Sequence, residues 1–188
     1  MTVSGATMNR EQAWTLLQEH LHNKNLVKHS LAVEACMRAA AIRFGADPET
    51  WGLAGLLHDL DYEYTVNQPD QHTHKTAEIL VGRGIDPAVI HAIQAHNHRV
   101  VPTEKIDHSL LAIDPTTGFI IACVLMHPEK KMSSLDLSFM KKRFKEKSFA
   151  KGASRDQMSE CRRLEIELDD FLQLCLQTMQ TIHADLGF

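Results

Sequence analysis

Three times in this chain an aspartate is followed directly by proline, and two of these pairs, Asp47-Pro48 and Asp86-Pro87, open onto apolar residues at helical spacing. Aspartate caps a helix by accepting backbone N–H groups, and proline suits the first turn, where its missing N–H leaves no bond unmade. Other punctuation agrees. Asn9 can cap a segment with Leu16, Leu17 and Leu21 on one side, Gly45 stops a segment that begins near Asn25, and Ser154 with Gln157 fits a capping box. Alternating runs of Val, Ile, Thr and aromatics, which would mark strands, are absent. The chain is expected to be all α, with helices over about 9–22, 25–44, 48–59, 73–83, 86–97, 107–126 and 133–147, then one or two from Ser154 to about His183. Asp61 to Gln71, rich in Asn, Gln, Pro and Asp, is expected as a turn, and Lys151-Gly152-Ala153 as a break.

With 188 residues, 44% of them hydrophobic and 23% charged, the chain suits one globular domain rather than a disordered or fibrous class. Within it, 25–125 is expected to carry the chemistry and 126–188 to form a helical C-terminal region. The longest apolar run, Phe119 to Met126, falls far short of the roughly 18 to 20 residues of a membrane helix, so no membrane partner is expected. The opening residues MTVSGATMNREQ lack the basic start and apolar stretch of a secretory signal, and a cytoplasmic location is expected. Cys36, Cys123, Cys161 and Cys175 form no CxxC pair and read as buried thiols. The net charge of −4 conceals an asymmetry: 128–151 holds eight Lys/Arg against three Asp/Glu, a local +5 that leaves −9 elsewhere. Such a patch can attract anions. A solvated face is the plainer reading, so nucleic acid is not expected as a partner, while assembly into a homo-oligomer is compatible with this composition.

Chemistry concentrates in the histidines, of which there are 12. His29 shares a helical stripe with Leu26, Val33 and Cys36, where a lone histidine is most simply a hydrogen-bonded core residue. His58-Asp59 closes the apolar segment LAGLLHDLDYEY, and by itself could be a helix end with a surface carboxylate. Asp114 follows Leu110 and Leu111 and precedes the most apolar run, so it is expected to be buried, and a buried carboxylate needs a cation or strong hydrogen bonds. Two imidazoles and two carboxylates converging from separate helices would make a divalent-metal site.

The order His29, His58-Asp59, Asp114 resembles the HD superfamily, whose pattern is H...HD...D on a helical bundle. The stretch HSLAVEACMRAAAIRFGADPETWGLAGLLHDLDYE is similar to the family's first two ligand helices. HTHKTAEIL resembles its HxxxGAEIL segment, with His72 in the histidine position and Thr76 in place of the usual glycine; IQAHN supplies His96, and LLAIDPTTG corresponds to the closing aspartate segment. The resemblance covers about 25–125, and the tail is similar to HD hydrolases of this size without implying a substrate. It implies an all-α HD-domain bundle with a C-terminal helical extension. It further implies a metal-dependent phosphohydrolase, a phosphomonoesterase or phosphodiesterase acting on a small-molecule phosphate ester or nucleotide. A divalent ion (Mn, Fe, Mg, Ni, Co or Zn) would sit on His29, His58, Asp59 and Asp114, and a second on His72 and His96 with Asp59 bridging. One departure is Pro115, after which the helix is expected to kink, or near which it should begin, so aiming Asp114.

Such an ion lowers the pKa of water to about 7 and neutralises phosphoryl charge. Asp59 is also assigned to accept a proton from the attacking water, and Asp61 is a further candidate acid or base. Lys75, Arg83 and the cluster Lys141, Lys142, Arg143, Lys145 and Lys147 are candidate phosphate partners, Lys147 foremost because it is nearest Gly152, although each also reads as a solvated face. His74, His91, His98 and His108 match no ligand position. Two alternatives are a di-iron oxygenase of the same fold and a non-catalytic module that binds a nucleotide; the complete ligand set argues against the latter.

Overall fold

The computed structural model describes residues 7–188, and contains no strand among them. Its helices are α1 (Arg10–His20), α2 (Lys24–Phe44), α3 (Pro48–Leu57), α4 (Tyr62–Thr65), α5 (His74–Leu80), α6 (Pro87–His96), α7 (Lys105–Met126), α8 (Leu137–Phe144), α9 (Arg155–Met158), α10 (Leu168–Thr181) and α11 (His183–Leu186). The chain is thus all α, and the local signals act as their chemistry requires. The Asn9 carboxamide accepts from the Gln12 N–H and Gln12 answers with its own side chain. Asp47 accepts from Glu49 and Thr50, Asp86 from Ala88, and Ser154 from Gln157. Gly45 ends α2 at φ 67°, a left-handed conformation that glycine adopts without a Cβ penalty. The segment 61–71 departs from expectation by folding a short helix, α4, inside the turn.

One continuous apolar core runs from Met8 to Leu186, with α2 and α7 as its two long members. Helix α3 packs along α2 and also touches α1, α6 and α7, so it is buried on all sides. That packing requires Gly55: a Cβ there would sit 2.8 Å from the Val33 carbonyl oxygen and 2.9 Å from the Glu34 backbone, neither of which can swing aside. Gly55→Ala is expected to cost about 1–3 kcal/mol by overpacking, or about 3–10 °C in melting temperature for a chain of this size. Calorimetry within about a degree of the parent would show that the two helices have room to separate. Across the same interface the buried Glu34 carboxylate binds Arg10 of α1 at 2.6 Å and Arg38 at 3.0 Å, and Arg38 continues to Glu49 of α3.

By length and composition α7 could cross a membrane, but 67% of its most apolar window is buried inside the bundle, which marks a core helix. It begins at Lys105 and runs unbroken through Pro115, so it does not start near the proline. The hydroxyls of Thr116 and Thr117 donate to the carbonyls of Ala112 (2.7 Å) and Asp114 (3.0 Å), occupying acceptors beside the break in the ladder.

Helix α8 stops at Phe144, short of the expected Lys147. The cause is distant in sequence. The Arg155 guanidinium donates to the carbonyls of Phe144, Phe149, Ala150 and Ala153 at 2.7–3.3 Å and lies 4.6 Å over the Phe119 ring. The carbonyls after α8 are therefore satisfied by a side chain and not by another helical turn. The basic cluster is partly neutralised here, since Lys141 pairs with Asp169 and Arg143 with Glu146. All four cysteines are free and buried.

Candidate metal centre

Five segments bring six side chains together. His29 comes from α2, His58 caps α3 with Asp59 in the turn after it, His72 precedes α5, His96 ends α6, and Asp114 lies on α7. His58, Asp59 and His96 are 0%, 6% and 4% exposed, so water cannot solvate their charges. The His29 and His58 Nε2 atoms are 3.2 Å apart, and Asp114 Oδ1 lies 3.0 Å from the former and 3.7 Å from the latter. Asp59 divides its oxygens: Oδ2 faces His58 (3.4 Å) and His29 (3.7 Å), while Oδ1 faces His72 (3.3 Å) and His96 (3.8 Å). Two donor groups result, one with His29, His58 and Asp114, the other with His58, Asp59 and His96, each with its donor atoms within 4.8 Å of one another.

The outer ring nitrogens fix how these imidazoles present themselves. His58 Nδ1–H donates to the Gly55 carbonyl (2.8 Å), and His96 Nδ1–H to that of Ile93 (2.6 Å). His72 Nδ1–H donates to Asp61 Oδ1 (2.8 Å). Thr117 already donates its hydroxyl proton to Asp114, so its oxygen accepts from His29 Nδ1–H at 3.2 Å. With all four protons outside, four Nε2 lone pairs point inward at two carboxylates. Nε2 atoms facing each other at 3.2 Å repel unless a proton or a metal cation lies among them, and imidazole with carboxylate is a donor set suited to Zn, Fe, Ni, Co and Mn. The residues present therefore fit a divalent ion.

The electrostatics agree. Burial works against a charged His58, but Asp59 and Asp114 outweigh it and hold its pKa well above the ordinary value. Burial likewise opposes charge on Asp59 and Asp114, and the surrounding imidazoles still keep both well below the ordinary carboxylate range. His72, despite desolvation, is raised by Asp59 and Asp61 from 6.5 to about 9. Since an unfolded histidine loses its proton near pH 6.5, the stabilisation from His72 in metal-free protein is full below that pH and fades as pH rises through about 9. The melting temperature of EDTA-treated protein is expected to fall by several degrees over that window, and that of metal-loaded protein to stay level, because the ion replaces the proton. A level profile in EDTA would show that His72 is not held as an imidazolium.

Asp61 does not face the cleft. It is fully buried, its Oδ1 takes the His72 proton, and its Oδ2 accepts the Thr76 N–H at 2.9 Å. The Thr76 hydroxyl in turn accepts the Asp61 N–H at 3.1 Å, a grip that glycine at this position would lack. Asp61 thus positions His72, and unlike Asp59 it is not among the residues lining the cleft.

A cleft of about 360 Å3 opens onto the cluster, lined by His29, Asp59, His72, His96 and Asp114 together with Leu26, Tyr62, Asn97, Gly152 and Gln157. Lys75 and Lys147 lie outside this lining, and Arg83 lines a separate hollow with Met8, Gln12 and Leu16. Tyr62, Asn97 and Gln157 are cleft residues that the sequence did not mark as part of the site, Gln157 having been read only as a capping residue. Asn97 adjoins His96, which is a usable local signal, whereas Gln157 reaches the cleft from the far end of the chain.

The sequence profile of the HD domain matches residues 26–141, more than half of the chain and as far as α8. Curated relatives are ribonucleases Y. That of Opitutus terrae is 31% identical over 81 residues, covering 43% of this chain and 16% of the relative. That of Thermoanaerobacter pseudethanolicus is 35% identical over 81 residues, with the same coverage. Ribonuclease Y 2 of Levilactobacillus brevis is 31% identical over 97 residues, 52% of this chain and 18% of the relative. The chain thus spans less than a fifth of the length of the curated relatives it matches. No solved structure matches it.

Proposed function

This chain belongs to the HD domain family, and from that membership and the geometry of the cluster we propose that it is a metal-dependent phosphohydrolase of small phosphate esters or nucleotides. The observation that carries this reading is the convergence of four Nε2 atoms on two carboxylates at the floor of an open cleft, Asp59 buried and Asp114, expected to be buried, with its side chain 28% exposed because it borders that cleft. In it, His29, His58, Asp59 and Asp114 would hold one divalent ion, and His72 and His96, together with Asp59, would hold a second. Such ions would supply acidified water and charge neutralisation at a phosphoryl oxygen when bound. Asp59 accepts the proton of the attacking water. Asp61 keeps His72 in the tautomer that presents Nε2. Tyr62, Asn97 and Gln157 offer neutral hydrogen bonds to the rest of the substrate.

The test is elemental analysis of anaerobically purified protein, together with release of phosphate or nucleotide from nucleoside phosphates, dinucleotides, 4-nitrophenyl phosphate and short single-stranded RNA. The RNA arm follows from the names of the relatives. Hydrolysis that EDTA removes and manganese restores is the expected result. A second reading, the di-iron oxygenase, is favoured by one observation: no Lys or Arg among the described residues lines the cleft. Oxygen uptake by iron-loaded protein without phosphate release from any of these substrates would replace the first reading with the second.

A further inference from the structure

Beside the cleft lies a larger groove, about 500 Å3, within the range of small-molecule sites. Its walls are Ala32 of α2, Ile121 and Leu125 of α7, and Leu186 and Phe188 at the end of the chain, and Lys28 stands among them. The groove and the metal cleft meet. His29 lines both, and a third space, bounded by Asp114, Gly118 and Gly152, shares His29, Asp114 and Gly152 with the cleft and His29 and Gly118 with the groove.

Gly118 is the passage between them. It sits well inside α7, where glycine weakens a helix relative to alanine. Neither usual reason for a glycine applies: its φ is not positive, and a Cβ built on it meets nothing within 4 Å. What the missing side chain leaves is open space over the helix, between His29 and the apolar walls. The charges point the same way, because among the described residues Lys28 is the one Lys or Arg lining any of the three spaces. A highly charged substrate such as a nucleoside triphosphate would find no further cationic side chain there.

We propose that this groove is the binding site for an extended apolar part of the substrate, which passes over Gly118 and lies along Ile121 and Leu125, so that the substrate is an ester of few charges carrying a hydrocarbon group. The phosphate end of this assignment rests on the hydrolase reading above. The hydrocarbon end rests on the groove alone.

The experiment is calorimetric titration of manganese-loaded protein with methyl phosphate and octyl phosphate, on wild type, Gly118→Ala, Gly118→Phe and Leu125→Asp. Each buried methylene tightens binding about fourfold, so burial of half of the seven added methylenes gives roughly 100-fold in favour of octyl. Wild type and Gly118→Ala are expected to show that preference. Gly118→Phe, which fills the passage, and Leu125→Asp, which charges the wall at an exposed position, are expected to lose most of it with metal content and methyl phosphate affinity unchanged. Equal affinities for the two esters in wild type would overturn the proposal, and so would a preference that survives both variants. Failure of the hydrolase reading shows itself separately: the chain-length preference stands while no phosphate is released.

Discussion

Asp59→Asn is expected to lower hydrolysis of phosphate esters by at least about 1,000-fold, some 4 kcal/mol in the barrier, and to reduce bound metal to well under one equivalent, with the helical circular dichroism unchanged. The substitution keeps the shape of the side chain, so it opens no cavity at a position only 6% exposed. It removes the anion whose two oxygens face His29 and His58 on one side and His72 and His96 on the other. It also replaces one of those oxygens by an N–H donor, which is repelled by any cation the imidazoles hold. Asp114 would remain beside His29 and His58, but a single carboxylate on one side leaves the buried cluster short of negative charge. His58→Ala should lose metal as well. Because His58 is fully buried, that variant also creates a cavity, and the asparagine isostere separates the two effects. Full metal occupancy in Asp59→Asn, with an unchanged turnover, would remove the cluster from the reaction.

The second large effect concerns how many ions the centre holds. Wild-type protein is expected to bind two equivalents of manganese and His96→Ala about one, with activity reduced by at least about tenfold. His96 has an ordinary structural role available to it, a hydrogen bond from Nδ1 to the Ile93 carbonyl, and it makes that bond. What exceeds the ordinary role is the other nitrogen: Nε2 faces Asp59 Oδ1 at 3.8 Å, and His72 Nε2 reaches the same oxygen at 3.3 Å. Two imidazoles and one carboxylate oxygen thus stand opposite the His29, His58 and Asp114 group. Asp61→Asn should weaken this second position alone, by the 10- to 100-fold typical of partners that orient a metal-binding histidine, because its carboxylate fixes the His72 tautomer. A crystal structure at saturating manganese with one ion, and with His72 and His96 bonded only to protein, would reduce the centre to a mononuclear one.

Much of this protein was legible in its sequence, and the legible parts share a short range. Asn9, Asp47, Asp86 and Ser154 cap helices through bonds to residues two or three positions away, and Gly45 ends one through its own φ, so the residues concerned carry the whole signal. The family pattern of His29, His58-Asp59 and Asp114 could be read in the same way, as spaced residue types. Tertiary structure decided what depends on groups far apart in the chain. Asp61, a candidate acid or base by its place two residues after Asp59, is turned from the cleft by His72 and Thr76. Helix α8 ends before Lys147 because Arg155, eleven residues beyond Phe144, takes the carbonyls of the following loop. Gly118 drew no reading from the sequence, and only the packing of α2 and the chain end around it leaves open space there. Caps and turns are set by bonds that close within a few residues. The direction of a buried side chain, and what its second nitrogen or oxygen meets, is set by which helices pack against each other, and that is a property of the whole core.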